Sequence, residues 1–428
     1  MPSSQNNVLA ALTLVCVLAH PAVSKAAELI PAGTHAKVGS GAGQTLSRGS
    51  TALFHNPANL IYGKFVEPFL DVSYVSANYS YLAADEQFEL VTVPVQTPAA
   101  SAGLSVRPTP GFAIGVSILP TGDGSVRTVE AVPLEIIPGT TQLFDVESEE
   151  NRHQIAAGLA VRFGYVFSIG AGVIRHRELS AFRLFDPKNG PEADPTVDAQ
   201  YAATTYQFSG GVRSELFDRA LVIALSYRSG SQINYEGDIL HPQSNNQFVI
   251  YEGVGYLPQA IGGGLEFRIA SFGLFLDGVY EIWSPARQVV RQGLPTDPFE
   301  TDLLDTINVA AGIKFWFARF HQILLAGGYN SSYIGDGSGP TGSEGSGMQE
   351  EGEIEDDGRI AGVQFGDLDA IPRKKFSAGY RAKFTGHGYF QGGVQYITGS
   401  REVPVGLPGE GLYTLTAFVG TLGIAYGF

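Results

Sequence analysis

From residue 65 onward the chain reads as fourteen strand-like blocks whose connections alternate between short and long. The blocks are 65–82, 100–107, 111–119, 152–163, 165–182, 199–214, 219–235, 257–269, 272–284, 305–317, 319–333, 374–384, 388–398 and 412–428. Short connections sit around 107–110, 164, 215–218, 270–271, 318 and 385–386, each after an even block. Long ones, 83–99, 120–151, 183–198, 236–256, 285–304, 334–373 and 399–411, follow the odd blocks. A soluble sandwich or solenoid gives no reason to segregate loops in this way. An even number of strands, with tight turns at one end and long loops at the other, is the arrangement of an outer-membrane barrel whose termini both lie on the short-turn side. The sequence therefore predicts an all-β fold, a transmembrane antiparallel β-barrel of about 14 strands.

The patterning inside the blocks agrees. Side chains in a strand point alternately to opposite faces. In 412–428 one parity carries Leu412, Phe418, Leu422, Ile424, Tyr426 and Phe428, while the other ends in the small residues Gly423, Ala425 and Gly427. Block 219–235 sets Leu221, Ile223, Leu225 and Tyr227 against Ala220, Ala224, Ser226 and Arg228. On a barrel the apolar parity faces lipid and the mixed parity faces the lumen. Glu266, Arg268, Asp277, Glu281, Lys314, Arg381 and Lys383 then point inward, where charges pair or meet water. Their bland role is to solvate the interior and to pin whatever fills it; the alternative is a direct part in handling a ligand. The 54 glycines, 19 tyrosines and 26 phenylalanines, with only 16% charged residues, suit a surface that does not all face water.

The N-terminus predicts export. Residues 8–19 form a short apolar run, followed by Pro21 and then Ser24-Lys25-Ala26-Ala27, with small residues at a cleavage site near Ala26, so residues 1–26 read as a cleavable signal peptide. Residues 1–7 carry no Lys or Arg, and Cys16 follows Val15 rather than the small residue of a lipoprotein site, which leaves it inside the apolar run. Export without further cysteine fits a bacterial envelope protein better than a disulfide-stapled secreted domain. No later segment reaches the roughly eighteen apolar residues of a helical span. A membrane chain of this kind must close into a barrel, the other way to satisfy every backbone group in hydrocarbon. The formal charge of −15 argues against nucleic acid as a partner.

Between signal and first strand, residues 36–58 hold Gly39, Gly41 and Gly43 and end on Asn56, Pro57 and Ala58. This glycine- and alanine-rich run into Asn-Pro-Ala, directly before a long first strand, resembles the FadL/TodX (OMPP1) family of outer-membrane transporters for long-chain fatty acids and aromatic hydrocarbons. The resemblance implies that residues 27–64 fold as a hatch inside the lumen of a barrel spanning 65–428, with Asn56, Pro57 and Ala58 as its motif at the turn toward the wall. It implies passive uptake of hydrophobic small molecules through an apolar pocket, and a lateral exit near a kink in the third strand, about 111–119. It assigns no substrate-contacting residue. Val132, Leu134, Ile136, Ile137, Leu143 and Phe144 would line an extracellular groove. The alternative is a porin for polar solutes, or a structural surface barrel with no hydrophobic substrate.

Nothing recommends an enzyme, a cofactor or a metal centre. The eight histidines show no paired ligand spacing, and no G-x-S-x-G elbow or P-loop is present. Gly337, Gly339 and Gly342 spell G-x-G-x-x-G, but an acidic run follows instead of a helix. That run, 344–357, reads as a solvated loop, with bridging by divalent cations as the second option. Expected partners are outer-membrane lipid, lipopolysaccharide, a hydrophobic small molecule and the barrel-assembly machinery, which would read Phe428. The expected state is a monomer in a Gram-negative outer membrane.

Overall fold

In this computed structural model the described residues are 36–37, 39–83, 89–91, 95–127, 132–137, 140–186, 188, 197–241, 247–284, 304–317, 320–331, 371–384, 388–403 and 411–427. Fourteen strands make one closed antiparallel wall. They are β1 Val66–Ala83, β2 Val95–Thr109, β3 Phe112–Arg127, β4 Thr140–Phe163, β5 Phe167–Phe185 and β6 Val197–Leu216. Then β7 comes in two pieces, Leu221–Arg228 and Ser231–His241, and β8 in two, Gln247–Leu257 and Gln259–Ile269. The remainder are β9 Phe272–Ile282, β10 Thr306–Phe317, β11 His321–Asn330, β12 Arg373–Lys383, β13 Gly388–Val403 and β14 Gly411–Tyr426. Two short strands, Glu89–Val91 and Val132–Ile137, pair with β1 and β4 in the connections at the long-loop end.

Closure comes from β1 and β14, paired from Phe69 with Ala425 to Ala83 with Gly411. Neither the first nor the last strand is left as an open edge, so the strand read as amphipathic from its sequence is the one that seals the wall. Its two faces separate as expected: Phe418 is 59% and Leu422 58% exposed on the outside, while Tyr413, Leu415 and Ala417 are fully buried inside. The same alternation runs round the barrel, with Leu70, Ile114, Leu159, Ile261, Leu274, Ile313 and Phe376 all facing outward. This is the lipid-facing band a spanning barrel needs, since hydrocarbon solvates apolar side chains and nothing else.

Several strands are longer than their sequence blocks. The connections read as 83–99, 120–151 and 236–256 are largely strand, because β2, β3, β4, β7 and β8 all continue toward the long-loop end. The piecewise strands interrupt each other at one height. Pro258 has no N–H to give to the ladder, and opposite it the wall skips Ser229 and Gly230. Gln207 on β6 covers the break from inside, its Nε2 donating to Ser229 O at 2.7 Å and to Pro258 O at 3.3 Å.

The described part of the N-terminal segment, up to Lys64, lies within the lumen. It contains two 3-10 helices, Gly49–Phe54 and Pro57–Tyr62. Leu53, Phe54, Leu60 and Ile61 pack against Ala113, Leu119, Ala156, Ala160 and Ile174 of β3, β4 and β5. Across the barrel, Ala42 and Leu46 pack against Phe275, Ala310 and Leu324 of β9, β10 and β11. Each such buried large side chain contributes about 1.5–3 kcal/mol, so the segment is a packed core element of the barrel.

Candidate functional site

The site is built where this segment, called the hatch below, meets the inner wall. Inward-facing wall residues are small where the hatch crosses them. A side chain at Gly170 of β5 would collide with the backbone of Pro57 and Ala58, and one at Gly211 of β6 with Asn56 Oδ1. A β-carbon on Gly115 of β3 or Gly158 of β4 would come within 2.7 Å of Leu60 or Leu53. These glycines are sockets cut to hatch residues.

Polar anchors fix the hatch within those sockets. Asn56 is fully buried and caps the second 3-10 helix, its Oδ1 accepting from Ala58 N at 3.0 Å. Its Nδ2 donates to Val212 O on β6 and Leu225 O on β7, each at 3.1 Å. Pro57 fills the first helical position, where the missing N–H costs nothing. Ala58 O accepts from Ser168 Oγ on β5 at 3.3 Å. The three motif residues thus stand together, but the chain makes one more 3-10 turn after them before it enters β1. On the other side Asp277 of β9 accepts from Thr45 N at 3.1 Å and from Thr45 Oγ1 at 2.7 Å. Arg213 of β6, also buried, donates to Thr45 O and Asn59 Oδ1 and is held by Glu215 at 2.9 Å.

Where the described chain begins, Lys37 makes a buried ion pair with Asp71 of β1 and donates to Ser73 Oγ at 2.7 Å. Burial pushes the Lys37 ammonium below its ordinary pKa, and the Asp71 carboxylate opposes that shift. The inward charges read from the sequence occupy the interior as follows. Glu266, fully buried, is shared by Arg268 and Lys314, while Glu281 meets Arg228 at 3.4 Å. Arg381 and Lys383 face a cavity at the short-turn end. Sequence reasoning missed Lys37, Asp71, Arg213 and the sockets; glycines on the inward parity of several strands are the signal that could have found the last.

Above the hatch, toward the long loops, lies a cavity of about 280 Å³. The resemblance implied an apolar pocket, and this cavity is mixed. Phe54, Leu119, Val279, Trp283 and Ile371 share its walls with Arg152, His176, Arg228, Glu281, Arg373 and Lys375. Most strand positions here belong to the inward parity, which also has to balance charge; Arg152 pairs with Glu178 at 2.9 Å, for example. A more apolar inner surface appears elsewhere, in the β13–β14–β1 sector, where Val75, Ala77, Tyr79, Ile397, Leu415 and Val419 are buried with Gln395 among them. Among the described residues no cluster of His, Cys, Asp or Glu is arranged to hold a metal ion.

Leu119 connects the cavity to an irregularity in the wall. The β2–β3 ladder stops at Ala102 and Ile118, although both strands continue beyond it. The outer part of β2 stays paired with β1 as far as Val95, and that of β3 with β4 as far as Arg127. The two strands part company at that point, and a register shift between Thr121 and Gly124 marks the start of the divergence on the β4 side. Through 112–119 β3 pairs with β4 without interruption; what opens is a seam on its other side, toward β2, beginning at Leu119, the last residue of the 111–119 stretch. The side chains of the 120–151 connection that were read as a groove, the acidic run 344–357, Phe428 and residues 1–26 lie outside what the structure describes, apart from the backbone of strands in the first of these.

Neither a family model nor a curated relative matches the chain by sequence. Solved structures do match. A FadL homologue of Pseudomonas aeruginosa is similar at a TM-score of 0.63 and 14% identity, over 93% of this chain and 99% of the other. The toluene transporter TodX of P. putida gives 0.59 at 12%, over 92% and 98%, and the toluene transporter TbuX of Ralstonia pickettii gives 0.60 at 10%, over 92% and 98%. The chain shares the fold of these proteins over more than nine-tenths of its length.

Proposed function

We propose that this chain, with its FadL-like fold, is an outer-membrane transport protein for passive uptake of hydrophobic small molecules, long-chain fatty acids or related lipids and hydrocarbons. One observation carries the proposal: a closed barrel whose lumen is filled by its own hatch also has a seam between β2 and β3 that opens beside the cavity above the hatch. A porin keeps its lumen clear. A plugged barrel instead has to pass its cargo sideways or through a moving hatch, and a sideways route leads into hydrocarbon. In this reading the ligand adsorbs among the long loops, enters the cavity with its polar end toward Arg152, Arg228 or Arg373, and leaves past Leu119 through the seam. No step needs an energy source. Phe428 serves as the recognition point for barrel assembly. That the fold neighbours are transporters and not enzymes supports a non-catalytic role.

The charged part of the cavity lining favours a second reading, passage of polar solutes. Uptake separates the two. Cells that lack their own importers and express this chain should take up labelled oleate or toluene faster than cells without it, with unchanged permeability to small sugars. Faster sugar entry without faster entry of either hydrophobic compound would overturn the proposal and favour the second reading.

A further inference from the structure

Below the hatch, at the short-turn end, is a second cavity of about 390 Å³ whose charge runs against that of the chain. The chain is acidic by 15 charges and has only 27 Lys and Arg residues. Six of them, Arg48, Lys64, Arg107, Lys314, Arg381 and Lys383, line this one cavity, and Glu67 is the only carboxylate among the described residues that do. Two of the six have clear structural work. Lys314 is neutralised by Glu266 at 2.6 Å, and Arg107 braces the hatch by donating to Ile61 O at 3.2 Å. Arg48, Lys64 and Lys383 instead reach the cavity's solvent.

Bringing like charges together in an enclosed space costs free energy, because low-dielectric walls concentrate the field. Arg48 shows the effect. Enclosure, together with Arg381, Arg213 and Arg268, pushes its guanidinium down to about 10 despite the opposing carboxylate of Glu266. Bracing the hatch does not require that cost, since its other anchors are neutral or paired. The walls between the cations are aromatic: Tyr62, Trp316, Phe320 and Tyr389 line the same space, with the Arg381 guanidinium 3.6 Å from the Tyr389 ring centre.

From this geometry we infer a ligand site for a carboxylate carried on an apolar, ring-sized body. The carboxylate meets Arg48 and Lys383, and the body lies against Trp316 and Phe320. The volume falls in the lower part of the range of small-molecule sites and suits a one- or two-ring acid. The proposal goes beyond the uptake reading and does not depend on it; only the periplasmic placement of the short-turn end is taken from there.

The test is equilibrium binding to the full protein, purified in an uncharged maltoside, with 2-naphthoate as probe and 2-naphthamide as its neutral isostere. The acid should bind more tightly than the amide, and its advantage should shrink as salt rises. Arg48→Gln with Lys383→Gln should weaken the acid about tenfold or more and leave the amide unchanged, as expected for loss of charged partners at a binding site. Lys383→Gln alone, at the exposed mouth, keeps the test open if the double variant does not fold. Failure of the acid to bind, equal affinity for acid and amide, or an acid affinity that ignores these variants and falls instead with Arg373→Gln above the hatch would each overturn the site.

Discussion

At the scale of the residue, Asn56 concentrates the logic of the interior. Its one amide satisfies a helix-start N–H through Oδ1 and two wall carbonyls through Nδ2, all away from water. Removing it leaves buried groups unpaired, which costs more than the bonds themselves were contributing. Asn56→Ala should therefore destabilise the docked hatch by about 1–3 kcal/mol. Hydrogen exchange on the purified protein should show faster exchange of hatch amides between residues 44 and 62, with wall amides unchanged. Unaltered protection there would mean that the flanking sockets hold the hatch alone. Asn56→Asp should be worse than Asn56→Ala, because it keeps the cap to Ala58 but turns an acid toward two carbonyl oxygens. The motif was legible as Asn-Pro-Ala in the sequence. Its partners were not, since Val212 and Leu225 present backbone carbonyls, which no side-chain pattern announces.

At the scale of the element, the strands that were misjudged failed for a common reason. Within the bilayer, lipid enforces an outward apolar parity, and blocks such as 257–269 and 305–317 were recognisable from it. Beyond the bilayer, water accepts either face. The Thr97-Pro98-Ala99 stretch of β2, the Pro120–Gly124 region of β3 and the acidic start of β4 consequently carry no alternation, yet the backbone ladder continues through them. The seam starts at Leu119 and runs on into that unpatterned zone, and what opens it is lost pairing between backbones, which the side chains of 111–119 do not show. It is testable as an element. Ser101 and Leu119 stand immediately past the last β2–β3 pair, in line with its register. Ser101→Cys with Leu119→Cys, oxidised, should tie the two strands together where they separate. Uptake of hydrophobic compound should fall, and recover on reduction, in cells where either single cysteine has no effect. Full uptake with the disulfide formed would rule out the seam as the exit.

For the whole molecule, wall and hatch have separable roles. Every ladder that closes the barrel, from β1–β14 round to β13–β14, is made by wall strands alone. The hatch adds packing against β3–β5 and β9–β11 and supplies partners for wall charges such as Asp71, Asp277 and Arg213. If it is removed, those groups lose their hatch partners but gain water, which solvates them in an opened lumen. This is why a hatchless barrel should persist where a comparable hole in a soluble core would not: the wall's ladders stay complete and the vacated space connects to solvent at the short-turn end. Deleting residues 36–62 should leave a folded, membrane-inserted barrel with large, steady open-channel conductance in planar bilayers. The intact protein should show only brief or small currents. Comparable steady currents from both proteins would mean that the hatch does not seal the lumen, and the sideways route would lose its reason to exist. A deleted form that fails to insert would instead make the hatch part of the folding core.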